Sequence, residues 1–274
     1  MADHDLQGYE RTTFSHGGRA RTVFRTGTGP AVVVIAEMPG ITPKVLAFAD
    51  RVAAIGCTAV LPHLFGEPGR DPNEGGRAKG GAYALSSLVP SCISREFTVL
   101  ATGRTSPVVA WLRALAANEH QRCGGPGVGA VGMCFTGGFA LAMATDERML
   151  APVLSQPSLP LGLTARAKRS IDISPEELEI VKGRCAAEGL QVLGLRFRGD
   201  KLVPAERFAF LADQLGDAFV AIELDDDSAN SEAVMKPHSV LTEHLVDEPG
   251  QPTLAAVDRV LDLFRTKLLA PAGG

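Results

Sequence analysis

The sequence predicts an α/β fold, in which a mostly parallel sheet is covered by helices on both faces. Apolar runs of strand length alternate with helical patterns, from AVVVIAE at Ala31 to Glu37 through to FVAIEL at Phe219 to Leu224. Uninterrupted apolar runs are typical of strands buried on both faces, and regular alternation with helices is typical of parallel sheets. A chain of 274 residues without an internal repeat, low-complexity block or linker is expected to form one domain over residues 1–274.

Composition narrows the class of protein. Hydrophobic residues make up 45% of the chain and charged residues 21%, with a formal net charge of −4, which gives no reason to expect a nucleic-acid partner. The apolar runs are too short for a membrane span, and the opening MADHDLQGYERTTFS is too polar for a secretory signal. The five cysteines lack zinc spacing, so we expect free thiols in a cytoplasmic protein without a metal or cofactor.

The first predicted elements are a hairpin, a buried strand and a helix. The hairpin lies in TTFSHGGRARTVFRTGTG, and the strand is the run from Ala31 to Glu37. Thr42 and Pro43 have the pattern of an N-cap followed by a proline at the first helical position, and Gly56 marks the end of this helix. The run CTAVLP is the next predicted strand.

The stretch from His63 to about Thr105 is irregular and rich in glycine and proline. A loop of this length within a compact fold is usually functional or mobile. We interpret it as an excursion over the sheet edge, with one short helix near Arg95 to Leu100. The amphipathic helix SPVVAWLRALAANE follows, and Ser106 is predicted to cap it.

The second half of the chain continues the alternation of strands and helices. The predicted strands are GVGAVGM, LAPVLS, LQVLGLRF and FVAIEL. The predicted helices are CFTGGFALAMAT, PAERFAFLADQLG, PTLAAVDRVLDLFRTKLL and one that begins at Ser174. Ser174, Pro175 and Glu177 have the spacing of a capping box, which marks the start of that helix.

Cys134 stands at the carboxyl end of a predicted strand, where open parallel sheets bind their ligands. In VGMCFTGG, Gly132 and Thr136 flank Cys134 with the spacing of a nucleophile elbow, a sharp turn from strand to helix. The start of a helix favours the thiolate, and the backbone N–H of Phe135 is placed to stabilise an oxyanion. The alternative is a buried core cysteine, but the strand–turn–helix context favours a nucleophile.

Asp200 is the predicted acid, because in this architecture the acid follows the nucleophile and precedes the histidine. It lies in RFRGDKLVP, just past a predicted strand. Taken alone, Asp200 would be interpreted as a turn or capping residue. Its rivals, Asp225, Asp226 and Asp227, follow the next strand and are interpreted as a solvated acidic loop.

Two of the six histidines, His238 and His244, follow Asp200 in the chain. Pro237 favours a loop at His238, whereas SVLTEHLV is compatible with a helical turn that presents His244 to solvent. Because the base is expected on a loop after the last strand, we favour His238 over His244 as the general base.

Four segments together resemble the dienelactone hydrolase family, the cysteine branch of the α/β-hydrolases. AEMPGI, VGMCFTGGFALAMA, RGDKLVPAERF and KPHSVLTEH occur in the family's order over about Val32 to Val240. The resemblance implies a single-domain α/β-hydrolase fold and a catalytic triad of Cys134, Asp200 and His238.

The resemblance also implies roles for residues that follow the first buried strand. In the family, a glutamate at the position of Glu37 helps to deprotonate the thiol when substrate binds. We hypothesise that Glu37 accepts the hydrogen bond of the resting thiol of Cys134. The oxyanion donors would be the backbone N–H groups of Met38 and Phe135.

Two positions depart from the family pattern. Thr136 stands where the family's elbow has glycine, and Thr242 stands where the founding enzymes have an arginine that holds the substrate carboxylate. Arg95 or Arg104 could supply a replacement, although each is more simply interpreted as a solvated surface arginine.

We therefore expect the hydrolysis of a small-molecule ester, lactone or thioester through a thioester acyl-enzyme. A glutamine amidotransferase-like protein also places a cysteine on an elbow, but such proteins have a late His-x-Glu pair, and none follows Cys134. The remaining alternative is a non-hydrolytic binding or redox-sensing protein with a reactive thiol. Turnover of an ester distinguishes the enzyme from such a sensor.

Overall fold

The described strands of the protein join in one eight-stranded sheet. A computed structural model describes residues 6–72, 83, 86, 96–97 and 99–270. The strands are β1 (Glu10–His16), β2 (Arg19–Gly27), β3 (Ala31–Ile35), β4 (Thr58–Pro62), β5 (Val128–Met133), β6 (Met149–Ser155), β7 (Val192–Phe197) and β8 (Phe219–Leu224). Their order across the sheet is β1-β2-β4-β3-β5-β6-β7-β8.

The sheet is mostly parallel, as predicted. β1 and β2 form the expected antiparallel hairpin, and β2 also pairs antiparallel with β4. From β4 to β8, every neighbouring pair is parallel. The strand that was expected to reach Glu37 ends at Ile35. Glu37 therefore lies just beyond the carboxyl end of β3.

Helices cover both faces of the sheet. The described helices are α1 (Pro43–Ala54), α2 (Val108–Cys123), α3 (Phe139–Met143), α4 (Ala165–Lys168), α5 (Pro175–Glu188), α6 (Ala205–Leu215) and α7 (Pro252–Phe264). Among these described helices, none combines the length and the apolar character that a membrane crossing requires.

Two of the predicted helix caps form. Thr42 Oγ1 accepts the backbone N–H of Val45 at 3.3 Å, and Ser174 Oγ accepts the backbone N–H of Glu177 at 3.2 Å. The carboxylate of Glu177 accepts a hydrogen bond from Arg113 at 2.6 Å. The side chain of Glu177 is thus drawn to α2, and the backbone N–H of Ser174, which the capping box would assign to Glu177, donates to Thr105 Oγ1 at 2.9 Å.

The prediction that Ser106 caps α2 is wrong. Its hydroxyl donates to Asp172 Oδ2 at 2.5 Å, and its backbone N–H donates to Asp172 Oδ1 at 2.9 Å. Within the described part of the chain, no side-chain hydrogen bond caps the start of α2. The carboxylate of Asp172 binds the hydroxyl of Ser106, and this long-range contact replaces the local one.

The helix predicted to start at Cys134 is interrupted. Residues Cys134–Thr136 form a 3₁₀ turn, and α3 begins only after two glycines. The backbone of Cys134 has a φ of 53°, which lies outside the right-handed helical region. Gly137 packs so closely that an added Cβ would lie 2.4 Å from the Cα of Pro157. A sharp turn therefore takes the place of the first helical turn.

The core consists of two apolar layers, one on each face of the sheet. Along β3, Val33 and Ile35 contact the layer that contains α2, α3, α5 and α6, whereas Val32 and Val34 contact the layer that contains α1 and α7. All residues of β3 are buried, which accounts for its uninterrupted apolar sequence. Because both faces of the strands are apolar, polar side chains can approach the centre of the sheet only beyond the ends of the strands.

Much of the irregular stretch predicted for residues 63–105 lies outside the described residues, and so does Arg95. Of the short helix expected near residues 95–100, Glu96, Phe97, Val99 and Leu100 are described, and they are not helical.

Candidate active site

Polar side chains follow four neighbouring strands at one edge of the sheet. Glu37 follows β3, Cys134 follows β5, Gln156 follows β6 and Asp200 follows β7. These strands are adjacent and parallel, in the order β3-β5-β6-β7, so their carboxyl ends meet at the same edge. His238 reaches this edge from the segment after β8.

The turn at Cys134, residues 132–138, is the elbow that the sequence predicts. An added Cβ at Gly132 would lie 2.2 Å from the backbone oxygen of Thr136, so the turn can close only over glycine. The thiol is partly exposed, and its Sγ lies 3.6 Å from the hydroxyl oxygen of Ser158. The backbone N–H of Ser158 donates to the carbonyl of Cys134 at 2.9 Å. The elbow therefore presents its sulfur beside a buried hydroxyl.

Thr136 ties the elbow to the end of β3. Its side chain is buried, and its hydroxyl donates to the carbonyl of Ile35 at 2.8 Å. The same oxygen accepts the backbone N–H of Met133 at 3.0 Å. A glycine would offer neither bond, so the threonine has a structural purpose at this position. It fixes the thiol relative to the segment that carries Glu37.

Asp200 and His238 form a buried pair. His238 Nδ1 lies 2.6 Å from Asp200 Oδ2, while Asp200 Oδ1 accepts the backbone N–H of Leu202 at 2.9 Å. Ligand atoms of Glu37, Cys134 and His238 all lie within 4.8 Å of one another. The structure thus brings together all four side chains that the sequence singled out.

The groups around His238 make its imidazole a stronger proton acceptor. Burial lowers the pKa of this imidazole, but the neighbouring Cys134 and the carboxylate of Asp200 outweigh burial and raise it well above 6.5. Among the described residues, the buried Nε2 has no partner at normal hydrogen-bond distance. Since Nδ1 is bound by Asp200, Nε2 is the nitrogen left for proton exchange with the thiol or substrate.

The three rival aspartates lie on the surface, as expected for an acidic loop. One of them nevertheless supports the site, because Asp226 Oδ1 accepts the backbone N–H of Gly199 at 2.8 Å. This bond holds the turn that carries Asp200.

Glu37 is buried, with 5% of its surface exposed, and its described partners are neutral. Its Oε2 accepts hydrogen bonds from Ser239 Oγ at 2.6 Å and from Gln156 Nε2 at 3.2 Å, and its Oε1 accepts one from Thr242 Oγ1. The hydrogen-bond partner seen for the thiol of Cys134 is Ser158, and no bond joins the thiol to Glu37 in this arrangement. The carboxylate therefore lies close to the sulfur while three other donors hold it.

Gln156 and Thr242 are site residues whose contacts the sequence did not reveal. Gln156 has a φ of 36°, is fully buried and accepts the backbone N–H of Val240 at 3.3 Å in addition to binding Glu37. It directly follows the apolar strand β6, so inspecting every strand end would have found it. Thr242 stands at the arginine position of the resemblance and binds Glu37 through its hydroxyl.

The expectation that His244 faces solvent is wrong. Only 2% of its surface is exposed. His244 Nδ1 accepts the backbone N–H groups of Ser239 at 3.1 Å and of His238 at 3.4 Å, and its Nε2 lies 3.1 Å from the carbonyl of Met235. Both ring nitrogens are thus occupied, which leaves neither for proton transfer to substrate.

For the other expected site residues that are described, the structure gives a position but no contact that shows a role. The N–H groups of Met38 and Phe135 directly follow Glu37 and Cys134 at the ends of the adjacent strands β3 and β5, and their oxyanion role remains a prediction. Arg104 is exposed.

Glu37, Cys134 and His238 are of the types that bind transition metals, and their ligand atoms are close enough to share one ion. Glu37 is already held by three donors, and His238 is oriented by Asp200. These bonds favour acid–base chemistry over a ligand role for the three groups.

The fold places the chain among the α/β-hydrolases. Residues 19–173, more than half of the chain, match the model of the dienelactone hydrolase family, so the chain belongs to this family. It is accordingly an ester or lactone hydrolase. The matched stretch contains Glu37 and Cys134 but ends before Asp200 and His238. A search of curated protein sequences found no match.

Solved structures share the fold. The dienelactone hydrolase from Anabaena variabilis superposes with a TM-score of 0.58 at 16% identity, covering 96% of this chain and 100% of its own. A dienelactone hydrolase-like promiscuous phosphotriesterase, P91, from metagenomic libraries gives 0.56 at 16%, covering 95% and 98%. The thioesterase domain from the curacin biosynthetic pathway gives 0.53 at 11%, covering 93% and 99%. At these identities the likeness concerns architecture alone.

Proposed function

We propose that the chain hydrolyses an ester, lactone or thioester by covalent catalysis at Cys134, with His238 as general base and Asp200 as its orienting acid. The observation that carries this proposal is the chain of contacts from Asp200 through His238 to Cys134 at the edge of the sheet. Asp200 binds His238 Nδ1 at 2.6 Å, and Cys134 lies within reach of the imidazole on an elbow with a φ of 53°. This is the order of roles found in hydrolytic triads.

In the first half-reaction, His238 Nε2 takes the proton of Cys134 as the sulfur attacks the acyl carbon. The carbonyl oxygen becomes an oxyanion, which the N–H groups of Met38 and Phe135 stabilise. His238 then returns the proton to the departing alkoxide or thiolate. The products are a thioester on Cys134 and the free alcohol or thiol.

In the second half-reaction, water replaces the leaving group. His238 takes a proton from water, the hydroxide oxygen bonds to the thioester carbon, and the carbon–sulfur bond breaks. The proton returns to the sulfur and an acid is released. The raised pKa of His238 supports this cycle, because the imidazole must hold a proton between the two transfers.

Glu37 acts in this proposal as the acceptor that assists activation of the thiol. Its partners Gln156, Ser239 and Thr242 are neutral donors, so they stabilise the carboxylate without adding a cation that would compete for its charge. When substrate enters, a small rotation would bring a carboxylate oxygen from within 4.8 Å to hydrogen-bond distance of the sulfur. A resting thiol, compared with a permanent thiolate, would also limit oxidation of Cys134.

The substrate of this proposal is a small-molecule ester, lactone or thioester, and Thr242 cannot offer a substrate carboxylate the ion pair that an arginine would. The arginine position is occupied by Thr242, whose hydroxyl is committed to Glu37, and Arg104 is exposed. Hydroxyl and amide groups surround the carboxylate of Glu37 beside Cys134, and Arg95, the other candidate partner for a substrate carboxylate, lies outside the described residues. We also propose that residues 1–274 act as one cytoplasmic catalytic domain.

Turnover tests the proposal. Purified protein is assayed with p-nitrophenyl esters, lactones and acyl thioesters alongside the variants Cys134→Ala and Cys185→Ala, where Cys185 lies in α5 away from the site. We expect Cys134→Ala to lose activity by about 10⁴-fold and Cys185→Ala to retain it. Rapid alkylation of Cys134 without turnover of any substrate class would instead support the sensor.

A further inference from the structure

The segment that carries the base, residues 235–244, is hereafter called the base segment, and His244 closes it on itself. Its imidazole Nδ1 receives the backbone N–H groups of Ser239 at 3.1 Å and of His238 at 3.4 Å. Its Nε2 lies 3.1 Å from the carbonyl of Met235. One side chain thus contacts the backbone at both ends of the stretch that includes the proposed base.

These contacts determine the protonation state of His244. Nδ1 accepts from two N–H groups, so it carries no hydrogen, and Nε2 must carry the single proton and donate it to Met235. If the imidazole were protonated, Nδ1 would also carry a hydrogen, and this N–H would point at the backbone N–H groups of His238 and Ser239, which is unfavourable. Burial lowers the pKa of His244, which agrees with a neutral ring.

The two N–H groups belong to His238, the proposed base, and to Ser239, a hydrogen-bond partner of Glu37. His238 binds Asp200 through its side chain, and Ser239 donates to Glu37 at 2.6 Å. A shift of the backbone here would therefore move the base and a partner of the carboxylate together.

The ring is also fixed to the rest of the molecule. The aromatic ring of Phe197, the last residue of β7, contacts it edge-on with centroids 5.9 Å apart, and the backbone N–H of Asn230 donates to the carbonyl of His244 at 3.0 Å. The backbone N–H of Asp200 in turn donates to the carbonyl of Phe197 at 3.3 Å. His244 thereby connects the base segment to the strand end that carries the acid. The charged or titratable groups that influence it are His238, Glu37 and Glu243.

We propose that His244 is a positioning residue, whose neutral imidazole holds the backbone of His238 and Ser239 in the geometry that the reaction needs. This inference rests on the proposed function, in which His238 is the base. His244 itself contacts neither the thiol nor the substrate in this account, and it acts through the two N–H groups that it accepts. A displacement of about 1 Å in a catalytic group can cost on the order of 10²-fold in rate.

Two amide variants, each of which replaces one ring nitrogen of His244, separate this role from simple filling of space. In His244→Asn, the amide oxygen can occupy the place of Nδ1 and accept the two N–H groups. In His244→Gln, the amide reaches the place of Nε2 and keeps the contact with Met235 but leaves those two N–H groups without their acceptor. His16→Gln, on the exposed end of β1, is the control. Activity is measured per folded molecule, with kcat and KM determined separately.

We expect His244→Asn to retain kcat within about threefold and His244→Gln to lose about 10- to 100-fold in kcat with little change in KM. Equal kcat values for folded Asn and Gln variants, whether both high or both low, would overturn the inference. The proposed function fails separately, if Cys134→Ala or His238→Ala retains wild-type turnover. A wild-type rate for His244→Gln together with an inactive Cys134→Ala would reject only the positioning role.

Discussion

The elbow and the base segment supply the two halves of the proposed chemistry, but they are held in different ways. The elbow, residues 132–138, turns on a contact between two of its own residues, the approach of Gly132 to the carbonyl of Thr136, and its distant partners anchor the turn once it has formed. The base segment, residues 235–244, depends on Glu37, Gln156 and Asp200, which come from three distant strand ends. The shape of the nucleophile's turn is therefore set by local sequence, whereas the position of its base requires the assembled sheet.

The largest effect that would sharpen this comparison is expected at Gly132. In Gly132→Ala the new methyl group would lie 2.2 Å from a backbone oxygen, so the elbow must open. We expect a loss of about 10³-fold or more in kcat/KM and about 2 kcal/mol or more in the free energy of unfolding. Steady-state assays and chemical denaturation measure the two.

Gly183→Ala is the matched control for this change. Gly183 lies within α5, and an added Cβ there would meet no atom within 4 Å. The substitution should stabilise the protein by about 0.5–1 kcal/mol and leave the rate unchanged. A Gly132→Ala variant that behaves like Gly183→Ala would show that the elbow is not sterically locked.

The difference between the regions also explains what the sequence could predict. The buried strands, the caps at Thr42 and Ser174 and the glycine that closes the elbow are written in short patterns, and the structure contains each of them. The cap assigned to Ser106 failed because Asp172, far along the chain, binds its hydroxyl. Local patterns were reliable where no distant partner competed.

The base segment contains the part of the site that could not be predicted. His244 was expected on a helical turn that faces solvent, yet the fold buries it because its acceptor nitrogen satisfies two buried N–H groups. The partners of Glu37 were equally hidden, since Ser239 and Thr242 are more than 200 positions away. Such pairings follow from the order of the strands in the sheet, and they produce no short motif with a characteristic spacing in the sequence.

Glu37 bridges the two regions, and its neutralisation should produce the next largest effect. In Glu37→Gln the hydroxyls of Ser239 and Thr242 can reverse and donate or accept as needed, so the melting temperature should remain nearly unchanged. Loss of the carboxylate should lower kcat/KM by about 10²-fold. The control is Glu179→Gln, whose carboxylate pairs with Lys182 on the surface of α5. A large fall in melting temperature with full activity per folded molecule would make Glu37 structural.

A smaller effect is expected from Thr136, which ties the elbow to β3. Thr136→Gly restores the residue that the family pattern calls for, but it removes the acceptor of the buried N–H of Met133. We expect a loss of about 1–3 kcal/mol in the free energy of unfolding and a modest loss of rate. Thr136→Ser keeps the hydroxyl and should lose less. Equal stability of the glycine variant and the wild type would show that the elbow needs no tie to β3.

The smallest effect concerns the pH dependence of stability. Burial lowers the pKa of His244 from 6.5 in the folded protein, so the unfolded chain takes up this proton more readily. The neutral ring therefore contributes stability above about pH 6.5, and the contribution is lost as the pH falls through the lowered folded pKa. The pKa of His238 is shifted in the opposite direction, but His238 is present in both the wild type and a His244 variant, so its contribution is common to the two.

We expect the free energy of unfolding to fall less between about pH 8 and pH 5 in His244→Asn than in the wild type. Urea denaturation at both pH values gives this difference, and no other histidine is changed. A larger fall in the variant would contradict a neutral His244 in the folded protein.

The central claim is that the acyl group passes through the sulfur of Cys134, and trapping it is the most direct test. The protein is mixed with a p-nitrophenyl ester, quenched in acid during the burst, and mapped by peptide mass spectrometry. Burial raises the pKa of Cys57 to about 11 and also raises the pKa of Cys185, so neither thiol should compete. We predict one acyl group per molecule on Cys134, removable by neutral hydroxylamine as a thioester. An acyl group on the neighbouring Ser158, or steady turnover by Cys134→Ala, would contradict the account.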